Sequence, residues 1–382
     1  MKLRTRLLLL TAFACAACRD QPSLPHASLS VAGALRASSD QGYAKALAPR
    51  DFHFPADHGP HPEFRTEWWY YTGNLATAEG RRFGFQLTFF RSALAPSAPE
   101  RASAWATRQA WLAHFAVSDV DGKRFHSFER WSRGAVGLAG AQGEPFRAWV
   151  KDWTAAGALV FPMRLRAAEG GVSIDLVLQA GKPPVLQGER GLSRKGAEPG
   201  DASYYYSLTR MPTAGTVRVD GRSSPVTGDS WMDREWSTSS LGRDQVGWDW
   251  LALQLSDGWD AMLYRLRRAD GAADPASSGT LIAPDGASRP LALAEFQLAG
   301  SGEWRSPRSG AQYPTKYPAR WRVRVPGEEL DLDVRPLLAD QELDVSFRYW
   351  EGAVEIEGTH HGRPVRGRGY VELTGYAPSA GR

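Results

Sequence analysis

From Asp51 onward the chain is written in short runs that alternate apolar and polar residues, divided by Gly, Pro and Asp-Gly. RRFGFQLTFFR (81–91), VSIDLVLQ (172–179) and WLALQLSDGWDAMLYRLR (250–267) are examples. A period of two puts successive side chains on opposite faces of a strand. The Asp-Gly pairs at 121–122, 257–258 and 270–271 suit tight hairpins, which need positive φ. Only the stretch 335–345 carries a helical apolar period. The pattern predicts an all-β chain.

The alternating text repeats. EWWYYTGNL (67–75), a Gly and RFGFQLTFFR (82–91) correspond to GWDWLALQL (247–255), Gly258 and WDAMLYRLR (259–267). Each copy also closes alike: VRVDGRSSPVTGDSWMDREW (217–236) matches VEIEGTHHGRPVRGRGYVELTGY (354–376). The unit is too long for a solenoid and too loose for a propeller blade, so it reads as one whole β domain duplicated. The boundary falls in 237–245. This gives an N-terminal domain over 51–240 and a C-terminal domain over 241–382. Closing each sheet into a barrel removes exposed edges and leaves an interior. The 15 Trp residues suit thick β cores or an apolar ligand site, and the expected architecture is two β domains with an aromatic-rich cleft between them.

Several residues are candidates for chemistry. In GDSWMDREW, Trp231, Asp233 and Glu235 share one strand face, and Trp236 falls opposite. Two carboxylates beside an indole push their pKa values apart and so offer one acid and one base. The competing reading is an ion pair with Arg234 or another Arg. The second copy carries a single carboxylate there, Glu372, which makes the first copy the expected site. Glu67 next to Trp68, Trp69 and Tyr70 is either a desolvated acid or a partner of Arg65 or Arg91. Trp248 and Trp250 repeat that aromatic strand. His114 sits in an apolar run and needs a hydrogen-bond partner there. Asp233, Glu235 and Trp231 are therefore the expected catalytic set. Glu67, Trp68, Trp69, Tyr70, His114, Trp236, Trp248 and Trp250 are the expected ligand-binding set. His58 and His61 lack a third ligand at an informative spacing, so no metal site is expected. No nucleophile elbow, Walker loop or dinucleotide fingerprint is present.

The N-terminus reads as an export leader over 1–17: a basic start, then an apolar run from Leu7 to Ala17 that ends in small residues. Ala16-Ala17-Cys18 resembles a bacterial lipobox, with lipidation at Cys18 and plain cleavage after Ala14 or Ala17 as the alternative. Arg19 then favours a periplasm-facing outer-membrane lipoprotein. Residues 18–50 read as a linker with one short helix. The net charge of +4 is scattered, which argues against nucleic-acid binding.

HPEFRTEWWYYTGNL, GRRFGFQLTFFR, GDSWMDREW, GWDWLALQLSDG with LYRLR, and GYVELTGY together resemble the AttH-like / carotenoid 1,2-hydratase family, from about 53 to 376. The resemblance implies two lipocalin-like β-barrels packed together and a hydrophobic small-molecule or lipid ligand. Relatives hydrate a terminal alkene of acyclic carotenoids without a cofactor, and an Asp near the end of the first domain is thought to protonate it. The matching residue is Asp233, with Trp231 at the aromatic position two before it. The hydratases read His-Asn after the Asp, whereas this chain reads Arg234-Glu235. It thereby fits the secreted AttH-like branch, similar to proteins encoded beside ABC-type exporters. Two functions follow from the resemblance: cofactor-free acid/base chemistry (hydration, isomerisation or hydrolysis), or non-catalytic carriage of a hydrophobic ligand for such an exporter.

Overall fold

The computed structural model describes residues 40–97, 103–239, 241–242, 244–309 and 314–377. The expected leader, its expected cleavage site and Cys18 lie outside the described residues. Among the described residues there is no α-helix, only three short 3₁₀ turns. The helical period at 335–345 is not realised. Leu330–Pro336 and Glu342–Asp344 are strands, because pairing to Arg348–His360 satisfies their backbones within the sheet.

The strands form a 13-stranded and a 10-stranded sheet, plus a small two-stranded ribbon. The two large sheets share a wiring. In the first, Thr66–Ala76, Arg82–Ala93, Gln109–Asp119 and Arg124–Arg133 run as a meander, and Thr66–Ala76 pairs back to Arg222–Ser239. In the second, Gln245–Leu255, Asp260–Arg268, Ser278–Ile282 and Ser288–Ala292 form the same meander, and Gln245–Leu255 pairs back to Arg363–Leu373. First-to-last pairing of an up-and-down sheet makes a barrel. The first barrel stays open between Arg124–Arg133 and Ala139–Gln142, which end the strand path. The chain is thus two lipocalin-like barrels packed together, and their common wiring is that of a duplicated domain. The Asp257-Gly258 turn closes its hairpin with Gly258 at φ +88°.

Strand parity divides the aromatic residues between two destinations. Trp69, Tyr71, Leu75, Met232 and Trp236 point into the first barrel and join its core. Tyr70, Tyr205, Trp231, Trp250, Tyr264 and Tyr370 point outward and form a second apolar cluster between the barrels. Two amides tie the barrels together at matching places. Asn74 donates to the Gly369 carbonyl at 3.0 Å, and Gln254 donates to the Ser230 carbonyl at 3.3 Å. At Gly84 the sheets come so close that an added Cβ would stand 2.6 Å from the Ala353 methyl.

Residues 40–50, expected to be linker, lie against the first barrel without helix. Ala46 is buried in its core, and Tyr43 donates to the Ala93 carbonyl at 3.3 Å.

Candidate functional site

A cavity of about 180 Å³ lies between the barrels. Both of its walls are the outer faces of sheets whose inner faces are packed cores. Register builds the first wall in rows. One row runs Tyr205, Glu235, Trp68, Phe90, Leu112, Trp131, and the next runs Ser207, Asp233, Tyr70, Thr88, His114. The opposite wall brings Trp248, Trp250, Tyr349, Glu351 and Glu372 from the second barrel. Two larger clefts, of about 610 and 1460 Å³, have Phe83 as the single aromatic residue in their linings. Of these three, the smaller cavity combines aromatic walls with desolvated acids.

Asp233 is 4% exposed and has no cation against it. Three donors reach its carboxyl group: Tyr205 Oη at 2.6 Å, Ser207 Oγ at 2.5 Å and Trp231 Nε1 at 2.7 Å. Trp250 Nε1 in turn donates to Tyr205 Oη at 3.2 Å. Burial pushes Asp233 up to about 7, against the pull of those three hydrogen bonds and with help from nearby Glu235. Glu235 accepts from Ser203 Oγ and stands 3.4 Å from Lys195 Nζ. The Lys195 ammonium lies 4.2 Å from the Tyr264 ring centre and 5.1 Å from that of Tyr205. Burial works against the charge of Lys195, but Glu235 and the neighbouring acids outweigh it and raise the lysine above its ordinary value.

On the facing wall Glu351 and Glu372 are cross-strand neighbours. Trp248 Nε1 donates to Glu372 at 3.0 Å. Burial pushes Glu372 up to about 8, and Asp233 and Glu235 add to the shift. Burial and Glu372 together drive Glu351 well above the usual carboxylate range. His114 donates from Nε2 to Glu129 at 3.2 Å, and its Nδ1 lies 2.7 Å from Tyr349 Oη.

Of the expected site residues, Asp233, Glu235, Trp68, Tyr70, His114, Trp248 and Trp250 line this cavity. Trp231 stands behind it as a donor to Asp233. Glu67, Trp69 and Trp236 do not line it. Odd positions of Thr66–Ala76 face the first barrel's interior, and so does Trp236, one residue out of step with Glu235. Glu67 is fully buried there between Arg91 and Arg234, and its backbone contact is the His61 N–H at 3.0 Å. Burial opposes its charge, but Arg234, His61 and Arg91 hold it below the usual carboxylate range. Arg234 stacks over Trp69 at 3.9 Å, and His61 lies flat on Trp236 at 3.8 Å. His58 is buried in the same network; burial and Arg234 depress it to about 4. No group of three or more metal-ligating side chains occurs among the described residues.

Lys195, Ser203, Tyr205, Ser207, Tyr349 and Glu351 carry no motif and were missed from sequence. Glu372 was read as the remnant of a decayed copy. Aligning 67–75 with 247–255 places Tyr70 on Trp250. Their partners Asp233 and Glu372 are then equivalent, and the two copies face one another across a single cavity.

Paired lipocalin-like barrels that enclose an acid-bearing aromatic cavity define the class of this protein. Residues 45–376 match the AttH-like family model, and the chain belongs to that family. The chain is similar to the crystal structure of a putative AttH from Nitrosomonas europaea, with 34% identity and a TM-score of 0.77, covering 87% of this chain and 100% of that one. Kievitone hydratase from Nectria haematococca shares the fold at 15% identity and a TM-score of 0.66, over 87% of this chain and 96% of that one. CghA, solved with Sch210972, does so at 16% identity and a TM-score of 0.52, over 88% and 97%. No curated protein matches the sequence.

Proposed function

We propose that the inter-barrel cavity is an acid/base active site that adds water to, or isomerises, a carbon–carbon double bond of a hydrophobic substrate. The observation that carries this reading is Asp233: desolvated, without a cation, and poised near 7 with three donors fixing its orientation. A carboxylic acid that is neutral near physiological pH can donate a proton. Family membership and the hydratase among the fold relatives support the same chemistry.

In the hydration sequence, the Asp233 O–H bond breaks and its proton forms a C–H bond on one alkene carbon. The cation left on the other carbon faces aromatic rings, Trp68 and Trp250 among them. Water forms the C–O bond and loses a proton to Glu235, which Ser203 and Lys195 hold in place. That proton returns to Asp233, and the sum is alkene plus water to alcohol. For isomerisation the cation loses a different C–H proton instead. Carriage alone would need the aromatic walls but not the acids.

The enclosed volume resembles that of a cavity that takes one benzene ring. It therefore takes the reacting end of a long molecule, and the rest leaves past Trp131, which is 45% exposed. The lipobox-like leader supports, within this same proposal, an envelope lipoprotein that works beside an ABC-type exporter.

The test is incubation of the purified protein with a cell lipid extract in ¹⁸O-water. Products heavier by one labelled water, or double-bond isomers of unchanged mass, are expected with the native chain and lost with Asp233→Asn, a drop of about 10²–10⁴-fold. Undiminished products from a folded Asp233→Asn would remove Asp233 from the chemistry. Label incorporation into a leader-bearing chain fed a tritiated fatty acid, abolished by Cys18→Ser, tests the anchor.

A further inference from the structure

The cavity is short of positive charge. Asp233, Glu235, Glu351 and Glu372 all line it, yet the lysine in its wall, Lys195, already faces Glu235 at 3.4 Å. The arginine next to Asp233 in sequence, Arg234, is turned into the first barrel and bound to Glu67. Asp233 has its three donors and Glu372 has Trp248. Glu351 is different. It is 1% exposed, and neither carboxyl oxygen has a hydrogen-bond partner of ordinary geometry. The Tyr70 hydroxyl stands close enough to Glu351 to bias its protonation, but forms no well-shaped bond to it or to anything else. Even if Tyr70 gives its one proton to Glu351, a further Glu351 oxygen stays unmatched. The side-chain oxygen of Gln86, also 1% exposed and in the facing first-barrel wall, is unmatched too.

Unmatched buried acceptors are costly, and the missing complement is a group with several donors and a positive charge. The surroundings suit such a group. Tyr70 and Trp250 meet edge to face at 5.2 Å, Trp250 meets Trp231 at 6.3 Å, and Trp250 lies directly across the strand from Glu372. Aromatic faces around a carboxylate attract ammonium ions.

We infer that the second-barrel wall of the cavity binds an alkylammonium group of the substrate, which displaces the Glu351 proton to solvent and takes the carboxylate as its counter-ion and acceptor. The substrate is then an apolar molecule that carries an amine, not a pure hydrocarbon. Glu351 is a specificity-determining residue under this assignment. The inference rests on the cavity being the ligand site, as proposed above, but not on Asp233 being the acid.

The test uses three probes of one shape on the purified full chain at neutral pH: benzylamine, benzyl alcohol and benzoate. Binding is followed by calorimetry and by quenching of tryptophan fluorescence. Benzylamine should bind at least about tenfold more tightly than benzyl alcohol, with benzoate weakest. Glu351→Gln should erase the preference for the amine while leaving benzyl alcohol bound as before. That variant replaces an unmatched acid with a neutral isostere and is expected to fold. Glu372→Gln, which keeps Glu351, should retain the preference. Equal or tighter binding of benzyl alcohol, no benzylamine binding at millimolar concentration, or an amine preference that survives Glu351→Gln would each overturn the assignment. Asp233→Asn should keep the amine preference, so a failure of the chemistry and a failure of this inference are read separately.

Discussion

Glu67 and Asp233 stand on neighbouring strands of one sheet, and both are almost completely buried, at 0% and 4% exposure. Their environments nevertheless drive them in opposite directions. Glu67 looks into the barrel, where Arg91 and Arg234 reach it, and it is held as a carboxylate. Asp233 looks out into the cavity, where neutral donors and another acid surround it, and it is held near 7. Burial is common to both, so partners decide the protonation state. The inner face spends its charges on each other and becomes scaffold. The outer face leaves Asp233 and Glu372 without a cation in contact, and the one lysine there, Lys195, is taken by Glu235.

The contrast is open to attack at several points. Glu67→Gln is expected to have the largest effect. It leaves two arginines buried without their counter-ion, and the cost is about 3–5 kcal/mol in urea unfolding. A loss under ~1 kcal/mol would mean that the inner network is not scaffold. The equivalent change on the outer face, Asp233→Asn, should leave stability unchanged or raise it while abolishing turnover.

The pH dependence of stability sharpens the same contrast. Glu67 has a folded-state pKa below the unfolded value, so its contribution is present above about 4.5 and is lost as pH falls through the depressed value. Asp233 has the reverse sign. Its folded value of about 7 exceeds the ordinary 3.8, so the folded state binds more protons between these limits. Stability should therefore fall as pH rises across that window, by at most roughly 1.4 kcal/mol per pH unit. Urea unfolding of native protein and Asp233→Asn across that window checks this. The variant should show the shallower decline, and identical slopes would show that Asp233 is not raised.

The smallest effect is expected from Trp248→Phe. It removes one donor from Glu372, costs about 0.5–1.5 kcal/mol, and moves Glu372 further above about 8. Infrared titration of the buried carboxyl band reads the shift.

The all-β fold, the duplication and the shared face of Trp231, Asp233 and Glu235 were legible, because a period of two is written directly into the sequence. Which face of EWWYYTGNL meets the cavity was not legible. Both faces are buried, one in a core and one between barrels, so hydrophobicity gives no preference between Trp68 and Trp69. Glu351 was illegible for a different reason. Its role depends on the two copies packing outer face to outer face, and no local pattern encodes that docking. The Tyr204–Tyr206 run was the one available hint of the Tyr205 wall, and its alternation sends Tyr205 to the cavity and Tyr206 to the core.

The near-contact of Gly84 with Ala353 sets the spacing of the two shells at a place outside the cavity lining. A side chain introduced there would act as a shim, prying the halves apart and widening the cavity while every residue of its lining stayed the same. Room for a bulkier molecule can therefore be made through a single remote spacer.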